Sequence, residues 1–178
     1  MAHAAQQTSS TRASSPTHAR SAEADASTPP AVVRGALALW VTAVAAGVFE
    51  TALAIVKMVS DGSGSAGEIA VGLAIRLPVF TAALLIAVQM HRGRHWARMT
   101  LALCLGVAGT ASMVAQPIRA LAQGHSLGTA FREAGAMDLA FGASRALHVA
   151  AVLGAVVLMF LPAANAHFRA RRGDLRRR

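Results

Sequence analysis

The chain has 178 residues, a length that suits one domain, but 54% of them are apolar and only 14% are charged, with a mean hydropathy of +0.48. Ordinary soluble domains carry about 25% charged residues, so the composition excludes that class. A formal net charge of +9 would suit nucleic acid, yet the arginines cluster beside apolar runs without an aromatic-studded basic surface. Membrane topology and anionic lipid headgroups explain the excess, and no nucleic-acid partner is expected.

Residues 1–33 are built mainly from Ala, Ser, Thr, Gln and Pro, with scattered charges and almost no large apolar side chains. Such a segment cannot bury enough apolar surface to offset its ordering entropy, so a disordered tail is expected. A secretory signal peptide is a poor match, because the first apolar run starts beyond residue 33 and is too long. That run, Gly35 to Val56, contains one charge, Glu50. It exceeds the roughly 20 apolar residues that span a bilayer core.

Asp61-Gly62-Ser63-Gly64-Ser65 reads as a tight turn. Ser65 and Glu68 stand three apart, the spacing of a capping box, so Glu68 is read as a cap rather than a catalytic acid. Ile69 to Met90 is the second crossing, with Arg76 as its one charge and Pro78 as a helix-kinking residue. The basic loop His91-Arg92-Gly93-Arg94-His95-Trp96-Ala97-Arg98 follows. Met99 to Ile118 is an uncharged third crossing that holds Cys104, the one cysteine. Intramolecular disulfides and cysteine-based metal motifs are thereby excluded.

The stretch 119–137 is the longest inter-helix loop, in which Leu127 and Phe131 could lay a short helix on the membrane surface. Leu139 to Leu161 is the fourth crossing, interrupted by Arg145 and His148, and Pro162 ends it. The expected fold is thus all-α, a four-helix transmembrane bundle over 34–163 with helices near 34–60, 66–90, 97–118 and 138–162. A short basic tail covers 164–178.

Arginines fall in the N-terminal flank, the middle loop and the C-terminal tail, whereas the two alternate loops hold Arg119 and Arg132 with acids nearby. The positive-inside rule then places both termini in the cytoplasm, in a multi-pass protein of the cytoplasmic membrane. Arg92, Arg94, Arg98, Arg169, Arg171 and Arg172 are the candidate lipid-headgroup contacts. Trp40 and Trp96 are expected at the cytoplasmic interface.

Arg94-His95-Trp96-Ala97-Arg98 after the second crossing, and Asn165-Ala166-His167-Phe168-Arg169 after the fourth, resemble the R-x-W-A-R loop and N-x-x-F-R exit of four-helix membrane proteins of actinobacteria. The resemblance covers the four-crossing core. It implies a cytoplasmic-membrane address and no particular activity.

Glu50, Arg76, Arg145 and His148 come from three helices. Each lies about seven to ten residues from the outer helix end, or roughly 10–15 Å deep. A charge at that depth costs about 2.5–3.5 kcal/mol, and an opposite charge at 4 Å returns about 4 kcal/mol at an effective dielectric of 20. Glu50 is therefore expected to face Arg76 across the short turn. Asp138, Phe141, Arg145 and His148 recur at spacings of three and four on one face of the fourth helix, as do Glu50 with Lys57 on the first and Ser112, Gln116 and Arg119 on the third.

Two roles suit this cluster. The leading one is an internal ion-pair network in a structural or accessory protein, which works by association with a second copy or with another membrane protein. The alternative is a small transporter or ligand-binding protein with a polar cavity open to the outside. Glu50 is similar to the first-helix glutamate of the small multidrug-resistance exporters, which implies proton exchange for cationic drugs. The chain departs from them in its length, its lack of tyrosine and its Arg76 and Arg145, which would repel a cation and suit an anion. Catalytic motifs are absent from the sequence, and His148 is the one histidine deep in the apolar core, so neither an enzyme nor a haem protein is expected. No cofactor or metal is expected either.

Overall fold

A computed structural model describes residues 29–124, 128 and 134–176; the side chains of Gln116, Pro117, Ala120 and 171–176 are not described. The N-terminal tail before Pro29, Leu127 and Phe131 of the expected surface helix, and Arg132 therefore lie outside the described residues. All described elements are helices: α1 (Ala31–Ser60), α2 (Ala66–His91), α3 (His95–Thr100), a π-helical segment (Leu101–Gly109), α4 (Thr110–Ala122), α5 (Ala136–Phe160) and α6 (Pro162–Arg176). Four helical stretches are long and apolar enough to cross a membrane: α1, α2, the run from His95 to Ala115, and α5. Helices satisfy their own backbone hydrogen bonds, which is what a hydrocarbon medium demands.

Local chemistry sets where these helices turn. Asp61 caps α1, and Gly62 follows at φ +61°. The Gly62 N–H donates to Val59 O at 3.3 Å and Ser63 N–H to Met58 O at 3.1 Å, the two bonds of a Schellman motif. The same device closes α2. Gly93, at φ +86°, donates to Met90 O at 2.9 Å and Arg94 to Gln89 O at 3.1 Å. Both turns need a left-handed residue, where glycine carries no Cβ penalty. Ser65 Oγ accepts from Glu68 N–H at 3.2 Å, and Glu68 Oε2 accepts from Ser65 N–H at 2.8 Å. That reciprocal capping box starts α2 and accounts for Glu68. Pro78 lies inside α2, which continues as one helix from Ala66 to His91.

The core is built on α1 and α5, which pack antiparallel along most of their length. The buried residues of α1 include Val33, Ala36, Trp40, Ala43, Gly47 and Glu50, and those of α5 include Ser144, Ala151, Ala155 and Met159. Spacings of three and four put each set on one helix face. Small residues dominate both faces, so the backbones approach closely. A Cβ on Gly35 would lie 3.1 Å from Leu158, and one on Gly154 would lie 3.1 Å from Leu39. α2 packs on α1 and on the π-helical segment, while that segment packs on α5.

At the end that holds Gly93, the bundle is closed. Met90, Ala97, Leu101, Met159, Ala164 and Phe168 are buried there together with Val33 and Ala36. α6 carries Ala164 and Phe168 into this core, so the basic tail is a docked helix rather than a bare extension. Arg98 anchors it. Its Nη1 donates to Asn165 Oδ1 at 2.7 Å, and its guanidinium lies 4.4 Å from the Phe160 ring centroid and 5.1 Å from that of Phe168. The expectation that Arg98 meets lipid headgroups is thereby corrected, since it is only 7% exposed. Two aromatic faces and an amide can solvate a guanidinium inside the fold. Arg92, Arg94 and Arg169 are exposed, as headgroup contact requires, while Arg171 and Arg172 have undescribed side chains. Trp96 is exposed, but Trp40 is 2% exposed within the core, which corrects its assignment to the interface.

Candidate functional site: a polar cavity inside the bundle

The buried stripe of α1 changes character along its length. From Val33 to Gly47 it is apolar or small, and the next turn on the same face is Glu50, 7% exposed. The facing stripe of α5 changes at the same height, from Val152 to His148 and Arg145. The antiparallel register that aligns Ala46 O with Ser144 Oγ at 3.4 Å also brings His148 Nδ1 to 3.3 Å from Glu50 Oε1. Gly47 makes room for the imidazole, because a Cβ there would lie 3.2 Å from the ring and 3.0 Å from Phe80.

A cavity of about 240 Å³ opens beside this pair, lined by Glu50, Thr51, Arg76, Phe80, Arg145 and His148 among others. All four polar residues singled out in the sequence thus reach one wall, from α1, α2 and α5. Their pairing differs from the charge-matching expectation. Glu50 meets His148, and Arg76 has no described carboxylate within 4.0 Å. Arg76 is exposed, and its Nη1 folds back to within 3.0 Å of where a Cβ on Gly72 would sit. Its side chain runs along α2 toward the helix start, as long basic side chains do when they snorkel. Arg145 donates from Nη2 to Met113 O at 2.8 Å and stands 5.9 Å from the Phe141 ring. It ties α5 to the third crossing through a backbone carbonyl.

Two further cavities continue this one in opposite directions. Toward the bundle centre lies a chamber of about 180 Å³, with Phe80, Met113 and His148 shared and Trp40, Val44, Leu105 and Val152 added. Its lining is mostly apolar. Two groups among its lining residues, Trp40 Nε1 and Thr110 Oγ1, are buried without a described hydrogen-bond partner. Toward the Gly62 end lies a larger cavity of about 430 Å³, sharing Ala54 and Phe141 and rimmed by Lys57, Asp61 and Asp138. Lys57 Nζ and Asp138 Oδ1 pair at 2.7 Å on that rim, both half-exposed. The cavities therefore lie in series, from an exposed ion pair at one end to Trp40 at mid-bundle.

The third crossing contributes its wall through the π-helical segment and the start of α4, by way of Leu105, Gly109, Thr110, Ser112 and Met113. π-helical backbone is uncommon and concentrates at functional sites. Neither this segment nor Trp40 was singled out as part of a site from sequence. The apolar run of the third crossing carries no periodic signal that would mark a π turn, and an interfacial tryptophan reads like a buried one. Arg119 is exposed and Gln116 lies outside the described side chains, so of the third-helix stripe only Ser112 is seen on a cavity wall. Among the described residues no three His, Cys, Asp or Glu side chains group to hold a metal ion. No protein family, curated protein or solved structure matches the chain.

Proposed function

We propose that this integral membrane protein binds a small solute in a blind vestibule entered from the outer face of the cytoplasmic membrane, with both termini inside. One observation carries the reading: the cavities run in series from the Lys57–Asp138 rim to Trp40, while the opposite end is packed with Met90, Leu101, Met159 and Phe168. A row of cavities that stops at a packed end suits a binding site or one state of an alternating-access carrier. The orientation rests on the clustering of arginine at the closed end. Glu50 and His148 form the buried polar pair of the site, and Arg76 and Arg145 are among its other lining residues.

A second reading is favoured by the pairing itself. Glu50 with His148 ties α1 to α5, and Arg145 ties α5 to the third crossing. In this reading the polar groups lock the bundle, and the protein acts as an accessory subunit through its membrane-embedded and lipid-facing surfaces.

Thiol accessibility separates the two. In a Cys104→Ala background, Ala54→Cys, Met113→Cys and Ala155→Cys variants would be treated in sealed vesicles with a membrane-impermeant thiol reagent. The vestibule reading expects Ala54→Cys to react from the outer face, Met113→Cys to react more slowly from that face, and Ala155→Cys to stay unmodified. Protection of all three positions would leave the lock as the better account.

A further inference from the structure

The polar cavity is unbalanced in charge. Arg76 and Arg145 are both among its lining residues, beside one carboxylate, Glu50, which already faces His148. Neither arginine forms an ion pair with a described carboxylate. Arg145 has one hydrogen bond, to Met113 O, out of five donor groups. Guanidinium forks match carboxylate geometry, and two arginines beside one carboxylate favour an anion over a cation or a neutral solute.

The adjoining chamber sets the rest of the ligand. Its walls of Trp40, Val44, Phe80, Leu105 and Val152 border about 180 Å³. An apolar cavity of about 150 Å³ accepts benzene, so this space is large enough for a six-carbon body. Phe80, Met113 and His148 belong to both chambers, so one molecule can span the seam. We infer that the vestibule is a site for a small organic carboxylate of benzoate size, its carboxylate between Arg76 and Arg145 and its apolar body against Trp40. This deepens the vestibule reading and rests on it.

The chain supplies its own probe. It has two tryptophans and no tyrosine, and Trp96 is exposed at the closed end, so Trp96→Phe leaves Trp40 as the one strong emitter. That variant in nanodiscs would be titrated with benzoate, benzyl alcohol and benzylamine. Benzoate is expected to shift Trp40 emission saturably, with an affinity roughly tenfold or more above that of benzyl alcohol, and benzylamine to bind weakest. Arg145→Gln and Arg76→Gln are each expected to remove that preference and leave benzyl alcohol unaffected. Arg76 makes no hydrogen bond to a described residue, so its variant decides the matter if Arg145→Gln fails to fold. Equal saturable responses to benzoate and benzyl alcohol, or a preference that survives both substitutions, would overturn the carboxylate assignment and leave the vestibule standing. A linear response to all three, the mark of partition into the bilayer, would remove both.

Discussion

At the residue scale, Glu50 and His148 carry the strongest argument for a designed pair. A carboxylate 7% exposed in the middle of a bundle carries a desolvation cost of several kcal/mol that only a close partner offsets. Its partner at 3.3 Å is His148 rather than Arg76. A double-mutant cycle on unfolding in detergent therefore expects a coupling of about 0.5–3 kcal/mol between Glu50→Gln and His148→Gln. The matching cycle with Arg76→Gln expects less than about 0.5 kcal/mol, because separated side chains act additively. The reverse order would assign the ion pair to Arg76. That Glu50 and His148 share one level of the bundle was legible in the sequence, because the count of residues from a helix end gives depth at 1.5 Å per residue; Arg76, expected in the same buried cluster, is exposed. The pairing was not legible. Depth says nothing of azimuth, and Arg76 stands on the exposed side of α2 while His148 faces the buried stripe of α1.

At the element scale, the π-helical segment and α6 are the parts that periodicity could not reveal. Gly106 lies in the π-helical segment where α5 comes close, and a Cβ there would meet Val156 Cγ2 at 2.9 Å. Val156 is short and β-branched, so it cannot swing away as a long side chain could. Gly106→Ala gains up to about 1 kcal/mol of helix propensity but overpacks the contact at about 1–3 kcal/mol. We expect a lower melting temperature, partly restored when Val156→Ala is added. A Gly106→Ala protein as stable as the parent would show that the two helices do not approach as described. α6 depends on contacts from another part of the chain. Its residues read as a basic tail because their helix is held by Ala164, Phe168 and the Arg98–Asn165 bond, partners that sit 67 positions apart.

At the scale of the whole molecule, the proposed function depends on orientation. The Schellman turn at Gly62 and the cavity rim of Lys57 and Asp138 share one end, and the Gly93 turn shares the other with the α1 start and α6. With arginine concentrated at the second end, Ser63→Cys in the Cys104→Ala background is expected to label only from outside, and Arg94→Cys only from inside. Labelling with the opposite sidedness would place the vestibule mouth in the cytoplasm and change which solutes reach it.

The sequence by itself determined the class, the four apolar stretches, their turns and the side on which arginine collects. Those properties are local. Each depends on the length of an apolar run, on a glycine with positive φ or on a capping pair, and a bilayer reads them one segment at a time. Only the tertiary structure decided that Glu50 meets His148, that Arg98 turns inward, that Trp40 is a cavity wall and that neighbouring cavities share lining residues. These depend on how the helices are rotated about their own axes and set in register. That choice is made by close packing of small residues on α1 and α5, summed over the whole interface, and no single stretch of the chain contains it.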